Sequence, residues 1–108
     1  MKLYVGGAWQ GQEELARQEN PAAEIWSSFH ETIREAVQRG EDPRAFARKM
    51  VEMHPKVVIV ANEVGAGVVP MKAEDRAFRE AVGRALCIIA QEAETVIRVV
   101  CGIGTRIK

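Results

Sequence analysis

Residues 57–61 (V-V-I-V-A) form an unbroken apolar run in which four side chains are β-branched. That is the pattern of a short strand buried on both faces of a parallel sheet. Residues 2–5 (K-L-Y-V) predict a first strand, and residues 96–101 (V-I-R-V-V-C) a later one. Arg98 within that later run points to an edge or a strand end. Residues 105–108 can add a short final strand. Between these runs the apolar period changes to that of helices. Leu15 and Ala16 follow a first helical pattern, and Asn20-Pro21 breaks it. Ile25, Trp26, Phe29, Ile33, Ala36 and Val37 predict a helix over 24–39, with Gly40 in the C′ position that stops it. Asp42-Pro43 restarts a helix as N-cap and N1, with Phe46, Ala47, Met50 and Val51 as its buried stripe and His54-Pro55 as its end. Residues 74–94 are alanine-rich. Ala77, Phe78, Ala81, Val82, Ala85, Leu86, Ile89 and Ala93 give them a broad core face. The order is β-α-α-α-β-α-β.

Composition adds limits to this outline. A chain of 108 residues, 47% hydrophobic and 28% charged, is expected to fold as one domain over 1–108. Fifteen basic and fifteen acidic side chains cancel. That leaves no electrostatic footprint for nucleic acid or an anionic membrane, and it permits self-association. No apolar run approaches the ~20 residues of a membrane span, and the start M-K-L-Y-V-G-G lacks an apolar signal core, so a cytoplasmic protein is expected. Cys87 and Cys101 read as reduced core thiols. His30 and His54, far apart in sequence, make no zinc pattern, and no metal site is assigned. His30 reads as a helix-surface or half-buried side chain.

Two stretches carry the chemistry. After the first strand comes Gly6-Gly7-Ala8-Trp9-Gln10-Gly11-Gln12-Glu13, then a helix. Strand, glycine loop and helix is the context of a phosphate-binding P-loop, G-x-x-x-x-G-K-[ST]. Gly6 and Gly11 fit that pattern. The lysine position holds Gln12 and the hydroxyl position Glu13, so the loop keeps its turn and loses its charges. The second stretch, Asn62-Glu63-Val64-Gly65-Ala66-Gly67, follows the central strand, where open α/β sheets bind ligands. On periodicity alone it reads as an ordinary strand exit in which glycine supplies a turn. Arg76, Arg79, Glu80 and Gly83 share one face of the last helix. They read either as a solvated face with local ion pairs or as an arginine pair reaching for phosphate, with Gly83 allowing close approach.

Asn62 to Pro70, N-E-V-G-A-G-V-V-P, resembles the N-E-V-G-x-G-I-V-P signature of the cobinamide kinases, the bifunctional adenosylcobinamide kinases and adenosylcobinamide-phosphate guanylyltransferases. The likeness continues through Arg76, Phe78, Arg79, Glu80 and Gly83, similar to R-x-F-R-[DE]-x-x-G, and ends at Gly102 to Lys108, similar to G-x-x-x-x-x-K. It covers the C-terminal half and the first dozen or so residues. It implies an α/β, P-loop-NTPase-like three-layer domain with a short, mostly parallel sheet flanked by helices. It also implies nucleotide and corrinoid ligands, ATP or GTP with Mg²⁺, no prosthetic group, and a homo-oligomer, dimer or trimer. By position, Gly6, Gly7, Gly11 and Gln12 would hold nucleotide, and Glu63 would be catalytic, touching Mg²⁺ or the substrate hydroxyl. Asn62, Gly65, Gly67, Arg76 and Arg79 would bind substrate or phosphate.

Residues 20–54 depart from the resemblance. Full-size members carry a Walker B-type aspartate and a GMP-accepting histidine in their central segment, and neither has a counterpart here. Guanylyl transfer is therefore not expected. Two readings remain: a compact kinase acting on adenosylcobinamide, or a non-catalytic descendant that binds a nucleotide, a corrinoid or a partner subunit.

Overall fold

The computed structural model describes residues 1–63 and 72–108. Its elements are β1 (Lys2–Gly6), α1 (Gln12–Glu19), β2 (Ile25–Trp26), α2 (Phe29–Gln38), α3 (Pro43–Met53), β3 (Val58–Asn62), α4 (Ala73–Glu92), β4 (Thr95–Val100) and β5 (Ile103–Arg106). The strands form one sheet in the order β2-β3-β1-β4-β5. The first four are parallel and β5 runs antiparallel to β4. This is the three-layer α/β arrangement expected from the sequence.

Strand alternation builds the layers. Leu3, Val5, Val57, Ile59, Ala61 and Val96 face a core shared with α2, α3 and α4. Tyr4, Val58, Val60 and Val99 face the other way, against Ala16 of α1. The run at 57–61 is apolar throughout because β3 lies inside the sheet with helices on both sides. Tyr4 also ties α1 down: its hydroxyl donates to Glu19 Oε1 at 2.7 Å and accepts from Asn20 Nδ2 at 3.0 Å. No helix of the described residues is long and apolar enough to cross a membrane.

Several local signals act as read. Asp42 caps α3, its carboxylate accepting from Ala45 N at 2.9 Å, with Pro43 in the first turn. Gly40 follows α2 with φ 87°, the left-handed residue that glycine tolerates best.

Other expectations are corrected. The helix expected from residue 24 begins at Phe29, and Ile25–Trp26 instead pair in parallel with Val58–Ile59. Ser28 adopts φ 52° and breaks the chain between strand and helix. Arg98 is exposed as expected of an edge, yet β4 lies inside the sheet. The chain reverses at Cys101-Gly102, with φ 51° and 76°, and lays β5 beside β4. Positive φ at both turn residues is the requirement of a tight I′ hairpin, whose twist matches that of the strands. The last strand therefore starts at Ile103, before the predicted 105, and the sheet has five strands. Both cysteines are free thiols but exposed, Cys87 on the outer side of α4 and Cys101 in the turn, so neither belongs to the core.

Candidate functional site

The glycine loop between β1 and α1 stands at the C-terminal edge of the sheet, where its shape is fixed from three sides. At Gly6 a Cβ would lie 2.5 Å from Val99 O, so only glycine lets β1 pass β4 this closely. Gly11 takes φ 88° at the start of α1, and its carbonyl accepts from Leu15 N at 3.1 Å. The β4–β5 turn docks on the loop through Gln10, whose side-chain Oε1 accepts from Cys101 N and whose carbonyl accepts from Gly102 N, both at 2.7 Å. Between these anchors Trp9 holds φ 65° and is 99% exposed. A left-handed aromatic residue costs roughly 1–2 kcal/mol.

Gln12 fills the inside of the loop. It is 5% exposed, and its Nε2 donates to Gly6 O at 3.3 Å, Gly7 O at 3.1 Å and Asn62 Oδ1 at 2.7 Å. A P-loop lysine would direct its ammonium outward to phosphate. This carboxamide instead spends its donors on the loop's own carbonyls and on the end of β3. Glu13, at the hydroxyl position, stands 3.7 Å from Arg17 one turn on.

Asn62 is held in turn by His30 of α2. The Asn62 backbone N–H donates to His30 Nδ1 at 3.1 Å, which places the imidazole proton on Nε2, 3.8 Å from Glu31 Oε1. His30 is 8% exposed, more deeply buried than a surface or half-buried reading predicted. Burial pushes its pKa below the ordinary value of 6.5, and the Glu31 carboxylate opposes that shift. The neutral ring is thus favoured in the folded state. Its contribution is complete above about pH 6.5 and is lost as pH falls through the lower folded-state pKa, because the unfolded chain takes up the proton first. Urea unfolding between about pH 5 and 7.5 should show the native protein losing more stability on acidification than His30→Gln. Parallel pH profiles would refute the assignment.

An open cleft of about 610 Å³ lies over the loop. Its walls include Trp9, Gln10, Gln12, Asn62 and Gly102. Among the described residues its charged walls are Glu13 and Glu14, both acidic.

A profile of the cobinamide kinase / cobinamide phosphate guanyltransferase family matches residues 8–107. The chain belongs to this family. It is similar to the bifunctional adenosylcobalamin biosynthesis protein CobU of Salmonella typhimurium and to that of Escherichia coli, at 49% identity to each over 53 residues. That stretch is 49% of this chain and 29% of each relative, so the chain matches under a third of the relatives' length.

In this member of the cobinamide kinase family, the residues of the signature divide between sites. Gly6, Gly7, Gly11, Gln12 and Asn62 meet at the loop, as described. Glu63 follows Asn62 on the opposite face. It lines a separate cavity of about 510 Å³ with Leu3, Val5, Leu86, Ala90 and Ile107. Its N–H still reaches the loop, donating to Gly6 O at 2.8 Å. Gly65 and Gly67 lie outside the described residues. Arg76 and Arg79 stand near the start of α4, Arg76 exposed and Arg79 half-buried, and neither is among the cleft's described walls. Among the described residues, a Cβ on Gly83 would meet nothing within 4 Å, and Gly83 lines the same cavity as Glu63.

Sequence reasoning missed three residues of the site. Trp9 and Gln10 had a signal, being bulky side chains within a glycine loop. His30 had none, since its partner is a backbone group 32 residues away.

Proposed function

We propose that this chain serves cobalamin biosynthesis as a binding member of the cobinamide kinase family, one that holds a nucleotide- or corrinoid-derived ligand at the glycine loop without transferring phosphate. One observation carries the reading: the Gln12 carboxamide occupies the loop interior and is satisfied there by Gly6, Gly7 and Asn62. Phosphoryl transfer is catalysed chiefly by fixed positive charge around the phosphates. Here the lysine is replaced by a neutral amide, and among the described residues the charged walls of the cleft are Glu13 and Glu14. These residues do not fit a Mg²⁺–triphosphate.

A second reading, a compact kinase for adenosylcobinamide, is favoured by the loop's retained turn, with glycine at residues 6, 7 and 11. Calorimetry with ATP, GTP and adenosylcobinamide, each with and without Mg²⁺, followed by a phosphoryl-transfer assay, separates the two. No transfer and no triphosphate binding at millimolar concentration is the expected result. Transfer that vanishes in Glu63→Ala would establish the kinase instead. In the double variant Gln12→Lys with Glu13→Ser, triphosphate binding should appear or tighten by about tenfold or more, because a charged donor replaces a neutral one and an acid is removed. An unchanged titration would show that restoring the charge and the hydroxyl is not enough to make the loop hold a triphosphate.

Self-association also belongs to this reading. It is supported by the exposed Val100, Ile103 and Ile107 along β4, β5 and the residues after them. A monomer by light scattering at working concentration would remove it.

A further inference from the structure

Trp9 is the feature that neither phosphate chemistry nor packing accounts for. Its side chain is 99% exposed. Its backbone sits at φ 65°. The loop is anchored on both sides of its tip, after it through Gln10, which is tied to Cys101 and Gly102, and before it through the Gly6 and Gly7 carbonyls, which accept from Gln12. An indole held outward in a strained conformation on the rim of a concave cleft is arranged to meet a ligand.

We infer that Trp9 is the stacking platform of this cleft, taking the flat conjugated ring of a ligand that presents no anionic group to the loop. The inference rests on the binding role proposed above and names the chemistry of what is bound. Indole offers a broad, rigid π-face at small entropic cost, and a flat ring laid on it loses water from both sides. The electron-rich face also favours a cationic ring over an anionic one. The remaining walls agree in sign. Glu13 and Glu14 are the charged lining among the described residues, and Gln12 has turned its donors inward. The loop that holds phosphate in a working P-loop would here select against it. A purine nucleoside offers the required flat ring, and an adenosylated corrinoid carries the same purine on a cationic corrin.

The test titrates the full chain by calorimetry with adenosine, ATP with Mg²⁺ and adenosylcobinamide, in the native protein, Trp9→Ala and Trp9→Phe. Removing a fully exposed side chain takes no packing from the core, so both variants fold. Adenosine or adenosylcobinamide should bind, and the arm that binds identifies the source of the ring. Trp9→Ala should weaken that binding about tenfold, Trp9→Phe should retain most of it, and ATP should bind no more tightly than adenosine. Equal affinity in Trp9→Ala, no binding by any of the three at millimolar concentration, or ATP binding well above adenosine would each overturn the inference. So would a change of oligomeric state in Trp9→Ala without a change in ligand affinity, which would assign the indole to an interface between chains. Phosphoryl transfer in the separate assay would defeat the binding role itself, and none of these titrations reads it.

Discussion

Gly6→Ala is expected to destabilise the fold by about 3 kcal/mol or more, at the upper end of the cost of overpacking. The added Cβ would lie 2.5 Å from Val99 O, a distance that real Cβ atoms essentially never show. The obstacle is backbone, so no rotamer change relieves it. Nor can β4 move aside, since it is held by β1 on one side and β5 on the other, and Val99 is fully buried. Relief would require separating β1 from β4 just where the loop begins, and Gln12 Oε1, 3.5 Å from the same Cβ, would be disturbed as well. Gly104→Ala is the control. There the Cβ would meet Leu15 Cδ2 at 2.7 Å, the far end of a flexible side chain, and Ile97 Cγ2 at 2.9 Å, a side-chain methyl and not backbone. Its cost should be clearly smaller, about 1 kcal/mol. Urea unfolding midpoints of the two variants check the ranking. A Gly6→Ala loss equal to or below that of Gly104→Ala would show that the close approach of β1 to β4 does not fix the loop.

How much of this was legible in the chain follows from the range of the interaction behind each feature. Asp42-Pro43 and Gly40 act through their own neighbours, so their effect is written locally, and α3 starts where it was expected. The apolar run before Asn62 is equally plain, because burial on both faces leaves no polar position to confuse the period. Ile25 and Trp26 are the counterexample. Their spacing to Phe29 and Ile33 is helical, yet they pair with β3, and only the partner strand decides between the two. Cys101-Gly102 makes a tight hairpin turn without the Asn-Gly or Asp-Gly that would announce it. At the site, the glycine loop and Asn62 were readable, because each stands at a strand end in a known context. That Asn62 and Glu63 part to opposite faces follows from strand alternation alone and could have been foreseen. The bond from Asn62 N to His30 Nδ1 could not. It joins a residue of the signature to α2, 32 residues earlier in the chain, in a segment where no motif announced it.

Phe29→Ala should cost about 3–5 kcal/mol, the usual range for removing a buried aromatic side chain. Phe29 is 1% exposed. Its ring lies near-parallel to Trp26 on one side, centroids 6.0 Å apart, and to Phe46 on the other, 6.2 Å apart. It therefore joins β2, α2 and α3, the whole span between the two halves of the signature. Total stability for a chain of this size is about 5–15 kcal/mol, so this single change removes a large share of it. The effect should also reach the loop. Phe29 and His30 are consecutive in the first turn of α2, and His30 accepts from the N–H of Asn62, the residue whose side-chain Oδ1 ends the Gln12 network. A cavity at Phe29 frees that turn to shift, and the Asn62 and Gln12 amide resonances should move with it under conditions where the variant is still folded. Unfolding by urea measures the first effect, and an amide correlation spectrum the second. A loss below about 1.5 kcal/mol would show that the aromatic stack does not hold this segment to the sheet. Full destabilisation with unmoved Asn62 and Gln12 signals would show that the segment stabilises the fold without setting the geometry of the site.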